Sequence, residues 1–147
     1  MKRVDRACEF DSGKLEWKRH LLMDGHKDAI GPAVDALMET MRQTGCVQGK
    51  EIEVETALRE ALANAVIHGA KDNPEKKVEC WVACDPKSGV LIIVRDPGEG
   101  FNPDKIPSPL HGENVFSTHG RGIYMINQLM DEVHFDRGGT EIRMIKR

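Results

Sequence analysis

Glu60, Asn64 and His68 fall four residues apart in Glu60-Ala-Leu-Ala-Asn64-Ala-Val-Ile-His68-Gly69. On a helix of 3.6 residues per turn that spacing stacks them on one face, while Leu58, Leu62, Ala65 and Val66 point elsewhere. A carboxylate can take a proton from an attacking hydroxyl or water. An amide oxygen one turn later can ligate a hard cation such as Mg²⁺ without adding charge. The competing reading is a solvated helix face that carries polar residues because charged side chains usually meet water.

Two further stretches carry site chemistry. Val90-Leu-Ile-Ile-Val94-Arg-Asp96-Pro-Gly98-Glu-Gly100 puts a carboxylate at the mouth of a buried strand, followed by two glycines spaced by one residue. Asp96 can accept a hydrogen bond from an exocyclic amine such as that of adenine, and Gly98 and Gly100 let backbone approach a flat ring. Asp-Pro-Gly is also ordinary turn chemistry. His119-Gly120-Arg121-Gly122 leads into a helix, where backbone N–H groups and the helix dipole can converge on phosphate. It does not follow a strand as a dinucleotide fingerprint does, and it lacks the Lys-Ser/Thr of a P-loop. Arg121 can reach phosphate, or simply be solvated.

The elements that must position these residues follow from periodicity. The chain has 147 residues, the length of one domain with one core. Residues 1–13 end in a turn signal and read as an arm before a single domain over 14–147. Residues 14–23 alternate, with Leu15, Trp17, Leu21 and Met23 sharing one side, as in a half-buried strand. Residues 27–44 repeat apolar positions at helical spacing and Gly45 follows as a cap. A second helix is expected from about Lys50 to Ile67, ended by Gly69. Residues 78–85 and 90–95 form a hairpin. Residues 97–120, with four prolines and few periodic apolar residues, read as a mobile lid. A short helix from about 123 to 130 and strands at 132–136 and 140–145 complete the chain. This order predicts an α+β two-layer sandwich, with a mixed, mainly antiparallel sheet carrying the helices on one face.

Composition limits the alternatives. Lys and Arg number 21 against 24 Asp and Glu, a net charge of -3, which gives no electrostatic case for nucleic acid or an anionic membrane. No apolar run approaches the ~20 residues of a membrane span, and the N-terminus lacks a signal peptide's apolar core, so the chain reads as cytoplasmic. Cys8, Cys46, Cys80 and Cys84 include no Cys-x-x-Cys and are expected to be buried free thiols rather than zinc ligands.

Taken in order, Glu60-x-x-x-Asn64-Ala-x-x-His68-Gly, Asp96-x-Gly98-x-Gly100 and Gly120-x-Gly122 resemble the N, G1 and G2 boxes of the gyrase, Hsp90, histidine kinase and MutL ATPase superfamily. Within it, Gly120-Arg-Gly-Ile-Tyr-Met-Ile-Asn-Gln-Leu-Met-Asp-Glu-Val and Gly139-Thr140-Glu-Ile-Arg resemble the small bacterial anti-sigma factor serine/threonine kinases. The resemblance covers nearly the whole chain from Leu15. It implies ATP and Mg²⁺ as cofactors, Glu60 as general base, Asn64 as Mg²⁺ ligand, Asp96 as adenine acceptor and Gly120 to Gly122 as phosphate contacts under the lid. Thr140 would support the adenine pocket, and His68 occupies a box position.

The expected function is phosphorylation of an anti-anti-sigma-like partner, with sequestration of a sigma factor as a second role and a homodimer as the working form. The other class is an ATP-gated binding module without phosphoryl transfer, in which Glu60 would have no task.

Overall fold

The computed structural model describes residues 16–85, 87–99 and 118–147. Five strands, β1 (Glu16–Asp24), β2 (Lys77–Asp85), β3 (Gly89–Arg95), β4 (Glu132–Asp136) and β5 (Glu141–Lys146), form one sheet in the order β1-β2-β3-β5-β4. Every neighbouring pair of described strands is antiparallel, in line with the mainly antiparallel sheet expected, and no parallel pair among them makes the sheet mixed. Three helices, α1 (Ile30–Thr44), α2 (Glu51–Asn64) and α3 (Thr118–Leu129), accompany it.

The core lies between the helices and one face of the sheet. On α1, Ala33, Val34, Leu37, Met38 and Met41 are buried, and on α2 Val54, Ala57, Leu58, Ala61 and Leu62. They meet Val78, Cys80, Val82 and Cys84 of β2, Val90, Ile92 and Val94 of β3, and Ile142 and Met144 of β5. The strand residues alternate because successive side chains point to opposite faces. Leu37, Leu58 and Leu62 have no exposed surface. Truncating any of them to Ala should cost about 2–5 kcal/mol. Gly45, at φ 77°, turns the chain out of α1, a left-handed cap that glycine adopts without steric cost.

Strand β1 departs from simple alternation. A register shift between Trp17 and Arg19 leaves Trp17 opposite Ala83, while Arg19 faces Val82, Leu21 faces Cys80 and Met23 faces Val78. One extra residue in a strand moves what precedes it to the other face. Trp17 is therefore 59% exposed on the face away from the helices, and of the described members of the expected apolar set, Trp17, Leu21 and Met23, only Met23 is buried.

The thiols also depart from expectation. The turn after α1 brings Cys46 against Cys84 at the end of β2, and the two form a disulfide with Cα atoms 6.1 Å apart across 38 residues. Contact between separate elements, which spacing along the chain does not reveal, makes the pair. Cys80 stays a buried free thiol, its pKa pushed up to about 12 by burial. Cys8 and the arm lie outside the described residues.

Candidate functional site

Helix α2 does not end at a simple cap. After Asn64 the backbone opens into a π turn over Ala65–Gly69, with the Ala70 N–H donating to the Ala65 carbonyl at 2.8 Å. Such widened turns cluster at functional sites because they re-aim the side chains they carry. Ala65, Val66 and Gly69 are buried in this turn, and His68 stays at its exposed rim.

The turn packs on the end of β3. An ideal Cβ on Gly69 would lie 2.5 Å from Asp96 Oδ1, and one on Gly98 would lie 2.8 Å from Gly69 Cα. Neither position has room for a side chain. The Gly98 N–H donates to Asp96 Oδ1 at 2.8 Å, and the Asp96 N–H donates to the Thr140 carbonyl at 2.8 Å. Strand β3 and the turn before β5 are thereby tied together at the carboxylate. Burial pushes the Asp96 carboxyl above its usual range, partly offset by the Gly98 N–H bond.

A cavity of about 250 Å³ opens at this junction, lined by Asn64, His68, Lys71, Asp96 and Thr140 on its polar side and by Val94, Ile123, Phe135 and Ile142 on its apolar side. Apolar walls with a few placed polar groups suit a flat heterocycle. The Thr140 hydroxyl donates to the Arg137 carbonyl at 2.8 Å, which leaves its lone pairs to accept. Partial burial and the nearby Lys71 charge hold the His68 ring below the ordinary histidine range.

Glu60 and Asn64 sit beside the first turns of α3. A Cβ on Gly122 would lie 3.0 Å from Glu60 Oε1, 3.2 Å from Asn64 Nδ2 and 3.3 Å from Asn64 Oδ1. Any larger residue at 122 would push these two side chains aside. The described part of α3 already includes Thr118, so Gly120 and Gly122 lie within the helix rather than ahead of it.

Of the residues singled out by spacing, Asn64, His68, Asp96 and Thr140 share one cavity, Glu60 and Gly122 adjoin it, and Gly98 packs behind it. Arg121 is exposed and does not line the cavity. Gly100 and most of the expected lid lie outside the described residues. The sequence marked Gly69 only as the end of a helix, and it did not mark Lys71 or the apolar wall from β3, β4 and β5. The wall was hidden because its residues come from three strands whose neighbourhood is set by topology.

An antiparallel sheet carries helices on one face, and the helix end bearing Glu60 and Asn64 lies across a cavity from the carboxylate at the end of β3. The chain belongs to the histidine kinase-like ATPase domain family, whose model matches residues 25–146, and it is an ATP-binding protein of that superfamily. Among known proteins it is 34% identical over 99 residues to Anti-sigma F factor of Bacillus cytotoxicus, an alignment covering 64% of this chain and 67% of that relative. It is 32% identical to Anti-sigma F factor of Bacillus subtilis over the same shares. No described helix is long and apolar enough to cross a membrane.

Proposed function

We propose that this chain is an ATP-dependent serine/threonine protein kinase of the anti-sigma-factor type. Its substrate is an anti-anti-sigma-like protein, and its second partner is a sigma factor that it sequesters. The observation that carries this reading is the packing of Glu60 and Asn64 against Gly122 beside a cavity whose other side holds Asp96. Base, phosphate end and adenine end then follow one another along a single groove. The names of the similar Bacillus proteins support the choice of partners.

In this reading adenine enters the apolar side of the cavity, and its exocyclic amine donates to the half-buried Asp96 carboxylate. Gly69 and Gly98 pack too closely on Asp96 and on each other to admit a Cβ, which fixes the carboxylate at the cavity wall. Thr140 borders the same pocket with its hydroxyl, and His68 borders it at the rim. Asn64 offers a neutral side-chain oxygen to Mg²⁺, and the bound ion would neutralise charge on the phosphates. Gly120, Arg121 and Gly122 in the first described turns of α3 serve the phosphate end, and Gly100 belongs with Gly98 to the adenine stretch.

Glu60 then acts as general base. The acceptor serine Oγ bonds to the γ-phosphorus, the bond from that phosphorus to the bridging oxygen of ADP breaks, and the serine proton passes to the Glu60 carboxylate. Binding without transfer would leave Glu60 with no partner for its proton-accepting role. Incubating the protein with γ-labelled ATP, Mg²⁺ and a candidate anti-anti-sigma partner tests the reading. Label on a partner serine is expected, and ATP binding with no transfer to any such partner would overturn it.

A further inference from the structure

The chain leaving the π turn passes through two successive left-handed residues that are not glycine, Lys71 at φ 58° and Asp72 at φ 54°. Side chains with a Cβ rarely adopt this region, and at a helix end the residue there is usually glycine. The Asp72 N–H donates back to the Val66 carbonyl at 2.9 Å and closes the turn. Asp72 has a local reason for its conformation. Its Oδ1 accepts the Lys27 N–H at 2.9 Å and lies 2.9 Å from His26 Nδ1, and His26 Nε2 lies 3.2 Å from Asp28 Oδ2. This staple fixes the turn to the segment before α1.

Lys71 has no such bond among the described residues, although its side chain lines the cavity with Asn64, His68 and Asp96. Among the described lining residues it is the one Lys or Arg. A nucleoside triphosphate brings several negative charges to a cavity whose described lining includes one carboxylate, Asp96, so a cation on its wall has a ready partner. Glycine would take the same backbone without strain. Strain held at a site is explained when the strained residue's side chain has work to do there.

We propose that Lys71 is a nucleotide-binding residue, presented by the His26–Asp72 staple so that its ammonium pairs with the phosphate chain of the bound nucleotide. The assignment rests on the ATP reading of the cavity. It is tested by calorimetry with ATP, ADP and adenosine on the wild type, Lys71→Gly and Lys71→Arg, with thermal unfolding of each. Lys71→Gly should unfold at an equal or higher temperature, because glycine relaxes the turn. It should bind ATP and ADP about three- to tenfold more weakly, as expected for loss of one partly screened charge pair, and adenosine unchanged. Lys71→Arg should restore most of the loss. Unchanged ATP affinity in Lys71→Gly overturns the proposal, as does an equal loss for all three ligands, which would make Lys71 a structural part of the turn. Failure of the wild type to bind ATP or adenosine at all overturns the ATP reading itself, and this proposal with it.

Discussion

Gly69 and Asp96 are in contact so close that no side chain can replace the glycine hydrogen: an ideal Cβ at 69 would stand 2.5 Å from Asp96 Oδ1. The end of the helix bearing Glu60 and Asn64 therefore sets where the Asp96 carboxylate points. Glu60 and Asp96, 36 residues apart in the chain, are thereby carried by two elements packed directly on each other.

Gly69→Ala is expected to displace Asp96 from the cavity. Overpacking of this kind costs about 1–3 kcal/mol of stability, and ATP affinity should fall about tenfold, as when a buried hydrogen-bond partner is misplaced. Thermal unfolding and calorimetry report the two effects separately. Wild-type ATP affinity in this variant would mean that Asp96 does not hold the base.

The raised Asp96 pKa has opposite consequences for binding and for folding. Donation by the adenine amine needs the ionised carboxylate, so ATP affinity should drop as pH falls through a value above the usual carboxylate range. The folded value exceeds the unfolded one. Ionised Asp96 thus weakens the empty fold above the unfolded value, and that cost is relieved as pH falls through the folded value. Affinity measured against pH should lose this transition in Asp96→Asn, which should bind ATP weakly throughout. An Asp96→Asn protein with the wild-type pH profile would remove the carboxylate from recognition.

Glu60→Gln keeps the shape and helix propensity of the site and removes the base. Phosphotransfer should fall by about 10²–10⁴-fold, the usual range for general base catalysis, while ATP binding survives. Asn64→Ala should lose both affinity and transfer if, as proposed, its amide oxygen is a Mg²⁺ ligand. If both residues merely faced solvent, either change would alter stability by no more than about 0.5 kcal/mol. Transfer at the wild-type rate by Glu60→Gln leaves the mechanism without its base.

Reduction of the Cys46–Cys84 disulfide should destabilise the domain. The bond closes a 38-residue separation, and constraint of the unfolded chain by such a loop is worth about 2–4 kcal/mol. Cys84 pairs with Val90 at the far end of the hairpin from Asp96, so ATP affinity should not change. Unfolding with and without dithiothreitol, set beside a Cys46→Ser variant, checks both points. An unfolding temperature indifferent to reductant would show the thiols unbonded in solution.

Homodimerisation is expected from the edge position of β1 among the described strands, beside the exposed Trp17 and Leu22. Sedimentation at tens of micromolar should give a concentration-dependent dimer. A monomer at all concentrations would remove it.

Local rules made much of this protein legible in its sequence. Helical spacing in residues 30–44 and 51–64 placed Leu37, Leu58 and Leu62 inward, and the Gly89 turn joined β2 to β3, because such features depend on neighbours a few residues away. Spacing by four likewise put Glu60 and Asn64 on one face. What only the tertiary structure decided are contacts between distant segments. The Trp17 bulge reflects pairing with β2, and the Cys46–Cys84 bond requires α1 to end over that strand. Gly69 matters because β3 ends against it, and Lys71 lines the cavity because Asp72 is held by His26 and Lys27 from another part of the chain. Periodicity carries no record of these distances, since each arises only when the sheet order sets separate elements side by side.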